Sequence, residues 1–578
     1  MASILSRRVS MWRPVLWICL IVLQLHRACA EDIEAFSFQE PRQQQRPNII
    51  VIIADDLGRT DISFTESNRH TPTPNIDRLA WNGIILNRHY SYQFCTPTRA
   101  AFMTGKYSIH TGMQGPSPIG SGEPWGLPLQ FQTQGNLFKR LGYQTWNVGK
   151  WHLGESTRAH YPERRGFDYF YGILAGESNW FNYTVGWITP IPNTGKVLRE
   201  NGKAVFENIT NNVYFPDLIT SKAEQLIRNS DPNQPFYLLY TTPVPHSAID
   251  RYSSALHTMP QFQLRPSVFR FSSAFPKRKR QLGLIQVLDE NVKRLTDALI
   301  NKGVANNSII VFFSDNGAAI SKPGATRQNY GVNWPLRSGK GNLFEGGVRT
   351  VACLWSPLLK RRGWISNKLF HLTDWLPTLW EAAGGDPRNL PDGGDGFSHW
   401  RFLQSGAEGS SPRRELLLDV NSGNYYGIIV EDQYGTMFKL LGGKGIPKSS
   451  LDFVQPEGTT AGDMSWRGYS PAAVKCNFRE GVEVTPCVPE VADCLFDLTH
   501  DPCELNNIAA RYPATVQFLQ QRIQSYNATA LPSVSKPFDP QSNPNLWDGW
   551  WVPWKDPVGE IYDTDPLEFA PLSPSTAT

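Results

Sequence analysis

The sequence has few cysteines, no long apolar segment and almost no excess charge. Eight cysteines occur in 578 residues, and the apolar run VLWICLIVLQL at 15–25 is shorter than the roughly twenty residues that span a bilayer. Omitting residues 1–30, which hold four of the 56 basic residues and no acid, leaves 52 basic and 52 acidic residues. No stripe of basic and aromatic residues suggests nucleic acid as a partner. The basic run Lys277-Arg278-Lys279-Arg280 predicts a solvated helix start, with a processing site or a polyanion contact as alternatives.

The first thirty residues have the pattern of a secretory signal peptide. Arg7, Arg8 and Arg13 come before or within the apolar region, and Ala28-Cys29-Ala30 precedes Glu31. This order of charge, apolar run and small residues is typical of a cleaved leader, and an uncleaved membrane anchor is the alternative. We expect no membrane span after its removal. Four sequons agree with passage through the secretory pathway: Asn182, Asn208, Asn306 and Asn527.

Four of the six cysteines after residue 30 crowd into 28 residues near the C-terminus. They are Cys476, Cys487, Cys494 and Cys503. Four cysteines allow three pairings, and in an oxidising compartment we favour the sequential one, 476 with 487 and 494 with 503. Cys95 and Cys353 are then unpaired. Cys353, in VACLWSP, fits a buried small hydrophobe.

Apolar runs alternate with helical patterns over most of the chain. PNIIVIIADD at 47–56 and SIIVFFSDNG at 308–317 predict strands buried on both faces, and TWNVGKWHLG predicts a third strand. TPNIDRLAWNG, NLFKRLGY and residues 281–303 predict helices that end at glycines. The alternation predicts an α/β fold with a large, mostly parallel sheet flanked by helices, and ligands at the carboxyl ends of its strands.

A change of composition near residue 405 predicts a domain boundary. SGAEGSSPRR at 405–414 has the composition of a linker. Beyond it, LLLDV, YYGIIV and MFKLLG predict a smaller antiparallel sheet, and YPATVQFLQQRIQSYN predicts a closing helix. We therefore expect a signal peptide at 1–30, a catalytic domain at 47–404, a C-terminal subdomain at 415–555 and a loose, acid-rich tail at 556–578.

Oxygen donors follow two of the predicted strands. Asp55 and Asp56 come at the end of the first strand, and Asp315 and Asn316 follow the one at 308. Carboxylate and amide oxygens are hard ligands that suit Ca²⁺ or Mg²⁺. Asp-Asp and Asp-Asn-Gly are also common in proteins, the second often in a simple turn, so a turn without a metal is the alternative.

Cations follow other predicted elements. Lys150 and His152 end the third strand in GKWHLG, Arg99 follows Cys95, and Lys340 lies in the Gly-rich stretch WPLRSGKGNLFEGG. Each alone is consistent with a surface charge. If they converge on the metal site, they form a cationic pocket that would hold a tetrahedral anion and stabilise the charge that develops on it.

The stretch FCTPTRAAFMTG at 94–105 resembles the signature of the sulfatase family, Cys-x-Pro-(Ser/Thr)-Arg followed by Thr-Gly. The resemblance runs from about residue 47 to 555 and implies an alkaline phosphatase-like fold. Within the family, NWPLRSGK and LFDLTHDPCELNN are most similar to arylsulfatase B, the N-acetylgalactosamine-4-sulfatase group. Six further segments match in the family's order: ADDLG, TPNIDRLA, GKWHLG, RRGFD, FSDNGA and EGGVR.

The resemblance implies a chemical role for Cys95. In sulfatases, the formylglycine-generating enzyme of the endoplasmic reticulum reads this motif before folding and oxidises the cysteine to formylglycine. Hydrated formylglycine is a gem-diol, of which one hydroxyl attacks sulfur and the second later expels sulfate. The resemblance also implies one bound Ca²⁺ per chain, with five ligand positions: Asp55, Asp56, Asp315, Asn316 and modified Cys95.

Further roles are implied for the cations and histidines. Arg99 matches the arginine that holds the diol, Lys150 and Lys340 match sulfate-binding lysines, and His152 matches the histidine that takes a proton from the diol. His246 matches the histidine that contacts the substrate and protonates the leaving group, although YLLYTTPVPHSAID places it about two residues later than in arylsulfatase B. Arg59 and the cysteine-free loop at 114–130 also depart from the arylsulfatase B pattern.

The resemblance implies a sulfuric ester hydrolase that removes 4-sulfate from N-acetylgalactosamine in dermatan or chondroitin sulfate. The lysosome is the expected location and the extracellular space the alternative. A phosphatase or phosphodiesterase of the same architecture is the main rival, but those enzymes use Ser or Thr and zinc-binding histidines. A Cys-His hydrolase and an inactive carbohydrate-binding relative are further alternatives.

Overall fold

A ten-stranded mixed sheet forms the centre of the protein in the computed structural model. The structure describes residues 46–65, 72–115, 117–186, 194–205, 213–246, 276–320, 330–391, 393–421, 424–444, 470–476 and 485–557. The strands are β1 (Asn48–Ala54), β2 (Ile84–Leu86), β3 (His89–Tyr90), β4 (Gln144–Lys150), β5 (Tyr169–Ile173), β6 (Thr184–Val185), β7 (Gly195–Lys196), β8 (Leu198–Glu200), β9 (Lys203–Ala204), β10 (Phe236–Thr241), β11 (Ser308–Ser314), β12 (Arg349–Thr350), β13 (Ala352–Trp355), β14 (Trp364–Ser366), β15 (Phe370–His371), β16 (Glu415–Asn421), β17 (Tyr425–Glu431), β18 (Met437–Gly442) and β19 (Cys494–Asp497).

Helices cover both faces of this sheet. They are α1 (Pro74–Trp81), α2 (Cys95–Thr104), α3 (Gln134–Arg140), α4 (Phe215–Asn229), α5 (Pro276–Lys302), α6 (Glu345–Val348), α7 (Trp375–Ala382), α8 (Trp400–Ser405) and α9 (Pro513–Asn527). Two large hydrophobic clusters form, because alternate residues of β1 point to opposite faces: Ile49 and Val51 join one cluster, and Ile50 and Ile52 the other. None of the described helices combines the length and apolar character needed to cross a bilayer.

The central five strands are parallel, in the order β11-β1-β10-β4-β5. Every residue of β1, β10 and β11 is buried, which explains their continuous apolar sequences. The outer strands include antiparallel pairs, β11 with β13 on one side and β5 with β8 on the other. The predicted α/β fold class is confirmed, and the antiparallel strands make the sheet mixed.

The helix predicted at 281–303 begins earlier, at Pro276, and so includes the basic run at 277–280. Arg278 is buried, where it pairs with Asp61 Oδ1 at 2.6 Å and donates to the Tyr330 carbonyl at 2.8 Å. The prediction of a solvated run is therefore wrong for Arg278, because a carboxylate and a carbonyl satisfy its guanidinium inside the fold. The side chains of Lys277, Lys279 and Arg280 are not among those that the structure describes.

The smaller antiparallel sheet predicted for the C-terminal part is present, in the order β16-β17-β18-β19. Helix α9 packs on it, as the closing helix predicted. Leu417 and Leu440 from this sheet share one hydrophobic cluster with Ile49 of β1. The limits 47–404 and 415–555 stay a prediction, and the described residues from Pro47 onward form one compact unit.

The favoured disulfide pairing is wrong. Cys476 is bonded to Cys503 and Cys487 to Cys494, with Cα–Cα distances of 5.8 and 5.6 Å. Cys494 begins β19, and the segment before it turns back to bring Cys487 alongside. After β19 the chain returns, so that Cys503 meets Cys476 in a small cluster around Leu336. The reversal of the chain before and after β19 therefore decides which cysteines pair, and the spacing of the cysteines in the sequence did not show it.

Cys95 and Cys353 are free, as predicted, and both are buried, which had been predicted for Cys353. Three of the predicted glycosylation asparagines lie in the described residues: Asn306 and Asn527 are exposed and Asn182 is half-buried. Asn208, the predicted signal peptide and most of the predicted tail lie outside the described residues. Glycosylation of all four sequons stays a prediction.

Candidate active site

The polar groups predicted for the site lie at the carboxyl ends of neighbouring parallel strands. Ala54, the last residue of β1, is aligned with Ser314, the last residue of β11. Asp55 and Asp56 therefore leave the sheet beside Asp315 and Asn316. On the other side of β1, the ends of β10 and β4 bring Lys150 to the same edge. The strand order thus produces the convergence that the sequence could only suggest.

Three carboxylates and one thiol form a buried cluster at this edge. Ligand atoms of Asp55, Asp56, Cys95 and Asp315 all lie within 4.8 Å of one another, and all four residues are buried. Cys95 Sγ lies 3.7 Å from Asp55 Oδ1, to which it donates. Three carboxylates so close together repel each other in a low-dielectric site, so the arrangement requires positive charge among them.

The cluster fits a hard metal ion. Asn316 donates through Nδ2 to Asp56 Oδ1 at 2.7 Å, whereas its own Oδ1 is buried and accepts no hydrogen bond from the described residues. A buried acceptor without a donor is costly, and an amide oxygen beside three carboxylate groups is a suitable ligand for Ca²⁺ or Mg²⁺. The donor set is poor in nitrogen and sulfur, which disfavours zinc.

Each carboxylate also has a cation of its own. Lys150 Nζ lies 2.8 Å from Asp55 Oδ2, and Lys340 Nζ lies 2.7 Å from Asp56 Oδ1. Arg99 donates through NH2 to Asp315 Oδ2 at 3.0 Å. The same guanidinium donates through NH1 to the carbonyl of Lys150 at 2.9 Å, so Arg99 fixes the end of β4 as well as Asp315.

These pairs set the charge states in the cluster. Burial alone would raise the pKa of Asp55, but the surrounding cations, led by Lys150, hold it well below its ordinary value. For Asp315, burial and the charge of Asp55 prevail and raise its pKa. Burial also raises the pKa of the Cys95 thiol to about 12. An unmodified Cys95 is therefore a thiol at neutral pH and a weak nucleophile, since the thiolate is the reactive form.

The two predicted histidines differ in burial and in their contacts. His152 follows β4 in a left-handed conformation with φ of 59° and is 4% exposed. Its Nε2 lies 2.8 Å from the Ile119 carbonyl and so carries the proton, while its buried Nδ1 has no hydrogen-bond partner among the described residues. Burial and the charge of Lys150 hold the pKa of His152 well below its ordinary value, which makes it a neutral ring.

His246 follows β10 and reaches the cluster despite its shifted position in the sequence. Its Nε2 lies 3.7 Å from Asp56 Oδ2. The side chains of His246 and Lys340 are 17% and 16% exposed, whereas those of Lys150 and Asp55 are almost fully buried. The cluster is therefore open to solvent on the side of His246 and Lys340.

The sequence did not single out three residues that support the site. Thr241, which ends β10, donates to the Lys150 carbonyl at 2.7 Å, and Ser314 accepts from the Leu57 amide at 2.9 Å. Gly176 packs against the ring of His152, and a Cβ there would lie 2.6 Å from ring atoms. The position of Thr241 and Ser314 at strand ends was a usable signal; Gly176 offered none, because its role depends on contact across the fold.

Comparison with known proteins identifies the family. A family model described as Sulfatase matches residues 47–385. The chain belongs to the sulfatase family. It is 33% identical over 522 residues to mouse arylsulfatase J, covering 88% of this chain and 80% of that protein. It is also 29% identical over 380 residues to rat N-acetylgalactosamine-6-sulfatase, covering 64% and 68% of the two chains.

Solved structures agree with this assignment. The crystal structure of Ps i-CgsB superposes with a TM-score of 0.63 at 25% identity, covering 85% of this chain and 94% of that one. A second structure, of BT4656 in complex with its substrate D-glucosamine-2-N,6-O-disulfate, has a TM-score of 0.55 at 21% identity, covering 84% and 98%; it supports the fold. With these relatives, the protein is a sulfuric ester hydrolase. Arylsulfatase B as the specific relative stays a prediction.

Proposed function

We propose that the protein is a calcium-dependent sulfatase whose nucleophile is formylglycine made from Cys95. The observation that carries the proposal is the convergence of Asp55, Asp56, Asp315 and Asn316 around Cys95. These four residues and the modified residue 95 would hold Ca²⁺, which supplies positive charge beside the nucleophile. The formylglycine diol would supply the oxygen that attacks sulfur. A conventional cysteine nucleophile is disfavoured, because the Cys95 thiol hydrogen-bonds a carboxylate and its pKa is raised.

The cations of the site would bind the sulfate group. Lys340 and His246 are partly exposed whereas Lys150 is buried, so the substrate would enter from the side of Lys340 and His246. Two ammonium groups in a mostly buried site stabilise the negative charge that develops on sulfate oxygens. Arg99, tied to Asp315 and to the end of β4, would hold the nucleophile in place.

The histidines would move protons at opposite ends of the reaction. His152 is neutral, and its unpartnered Nδ1 accepts a proton within a buried site. His246 is on the open side, where the alcohol oxygen of the substrate departs, so its ring would protonate that oxygen. Each proton transfer contributes typically 10²–10⁴-fold to the rate of such reactions.

For the substrate, we propose the 4-sulfate of N-acetylgalactosamine in dermatan or chondroitin sulfate, hydrolysed in the lysosome. The sequence segments NWPLRSGK and LFDLTHDPCELNN support the 4-sulfate. The relative named N-acetylgalactosamine-6-sulfatase supports the same sugar and makes the 6-sulfate the second candidate. The extracellular space is the alternative location, and fractionation of the cells that make the protein distinguishes the two.

Mass spectrometry and a substrate panel test the proposal together. The peptide that contains residue 95 should carry the aldehyde mass of formylglycine, and the purified protein should contain calcium. Turnover of an aryl sulfate, of N-acetylgalactosamine 4-sulfate and of the 6-sulfate should then be compared. An unmodified Cys95 in an active enzyme refutes the nucleophile, and hydrolysis of the 6-sulfate alone refutes the 4-sulfate while leaving the sulfatase assignment intact.

A further inference from the structure

A second cationic concavity lies away from the cluster around Cys95. It has a volume of about 790 Å³, within the range of ligand sites in proteins. Five basic side chains and one carboxylate line it: Lys139, Arg140, Arg158, Arg164, Arg165 and Asp556. We call these residues, together with Leu129 and Phe131 of the same wall, the basic pocket. Its excess of positive charge contrasts with the neutral balance of the chain after residue 30.

The basic pocket and the cluster around Cys95 lie at opposite ends of the parallel strands. Lys139 and Arg140 end α3, which leads into the start of β4, and Lys139 pairs with Asp168, directly before β5. Asp168 in turn accepts from the amide of Thr145, near the start of β4, at 3.0 Å. The pocket is therefore at the amino ends of β4 and β5. The seven residues of β4 place it roughly 23 Å from the site at the carboxyl ends.

The pocket has a built cationic floor. Arg165 is 4% exposed and donates to the carbonyls of Leu127 and Phe131 at 2.8 Å each. No carboxylate pairs with it among the described residues, and burial lowers its pKa to about 10. A buried guanidinium that lacks a counter-charge is costly, and an anion in the pocket would relieve that cost.

The wall supplies both charge and apolar surface. Arg140 and Arg164 are exposed, and no described residue forms an ion pair or hydrogen bond with either guanidinium. Lys139 and Arg158 are paired, with Asp168 and Asp556. Leu129 is 54% exposed, and Phe131 is partly buried beside it. Guanidinium groups recognise sulfate oxygens bidentately, and an apolar surface packs against the C–H face of a sugar ring.

We propose that the basic pocket is a second binding site for a sulfated polysaccharide, separate from the site of hydrolysis. This inference rests on the proposed function, because it assigns the pocket to the polymer that carries the substrate group. A single polysaccharide chain that occupies both the basic pocket and the site of hydrolysis must be long enough to pass around the protein. The pocket would therefore raise the affinity for polymer through a higher effective concentration and leave small substrates unaffected.

Binding of chondroitin sulfate polymer to the full chain tests this site. The measurement is made in a Cys95→Ala background, which prevents turnover, over a series of salt concentrations. Arg140→Ala combined with Arg164→Ala should weaken binding at least tenfold near 0.1 M salt, and should reduce the salt dependence of binding because fewer counterions are released. Lys360→Ala combined with Arg362→Ala is the matched control, since both residues are exposed, lie outside the pocket and remove the same charge. The control should change affinity less than twofold.

Two further arms make the result decisive. Hyaluronan, which carries carboxylates and no sulfate, should bind the Cys95→Ala protein more weakly than chondroitin sulfate does. In the second arm, Arg140→Ala and Arg164→Ala are made with Cys95 intact, and kcat/KM for a small aryl sulfate should be unchanged. Equal losses in the pocket and control variants, or equal binding of hyaluronan, would overturn the proposal. Absence of aryl sulfate turnover by the wild-type protein would instead reject the proposed function, while the binding arms still decide whether the pocket exists as a site.

Discussion

Replacing Gly176 with alanine should displace the His152 ring and remove most of the activity. An added Cβ would lie 2.6 Å from Cε1 and from Nε2 of that ring. Favourable contacts between carbon atoms begin near 3.5 Å, so the ring must move by about 1 Å. It cannot move freely, because its Nε2 is bonded to the Ile119 carbonyl at 2.8 Å and the residue is 4% exposed. A misplacement of this size costs about 10²-fold in rate, or about 2.7 kcal/mol in the activation free energy.

The assay is kcat/KM for an activated aryl sulfate across a pH series, with thermal unfolding measured in parallel. Gly176→Ala should stay folded with a lowered melting temperature, because overpacking of a buried site costs about 1–3 kcal/mol. Its pH profile should change as well, because the proton acceptor is displaced. Gly409→Ala is the matched control, since no atom lies within 4 Å of a Cβ built there. Activity of Gly176→Ala within twofold of the wild type, in a folded protein, would refute the role of His152 as a positioned proton acceptor.

Four other changes test separate parts of the site and fold. Cys95→Ala should abolish turnover and leave folding and secretion intact; activity near wild type would reject the covalent mechanism. Asp315→Ala should lose calcium and activity together, and stoichiometric zinc in the wild-type protein would contradict the metal assignment. His246→Ala should slow the hydrolysis of sugar sulfates far more than that of aryl sulfates, because only the poor leaving group needs a proton; equal losses on both count against the acid role. Burial raises the pKa of Asp419 to about 6 from 3.8, so the folded protein holds an extra proton between these values. The stability from that proton is present near pH 4 and is lost as the pH rises through 6, so the free energy of unfolding of the wild type should fall by at most about 3 kcal/mol across this window. Asp419→Asn has no such proton to lose and should not show this part of the fall. If the variant shows the same fall as the wild type, a group other than Asp419 causes it.

The parts of the fold that the sequence predicted are those with local signals. Strands β1 and β11 are continuous apolar runs because both of their faces are buried, and α1 begins at a proline and is followed by a glycine, a pattern that marks a helix in the sequence. The residues at the carboxyl ends of parallel strands could be predicted to converge, and they do. This covers Asp55, Asp56, Asp315, Asn316 and Lys150, because they end or directly follow β1, β4 and β11. Cys95, at the start of α2, and Lys340, in a loop, reach the same place through contacts across the fold.

The parts that could not be predicted depend on contacts between distant segments. The disulfide pairing depends on how the chain reverses before and after β19, which no spacing encodes. Arg278 is buried only because Asp61, more than two hundred residues earlier, reaches it. The antiparallel strand β8 is three residues long, and such a short segment has too few positions to show a pattern. Roles that arise from packing, such as that of Gly176, need the fold itself.

The burial of α2 has a consequence for the order of events during synthesis. All ten residues of this helix are buried, and Cys95 at its start is 2% exposed. Arg99 of the same helix is fixed by Asp315, which follows it by 216 residues. At roughly 5–20 residues per second, a ribosome needs about 10–40 s to make the intervening chain. The oxidation proposed for Cys95 has this interval in which the motif is still accessible, so the yield of active protein depends on a race between a modifying enzyme and the arrival of β11.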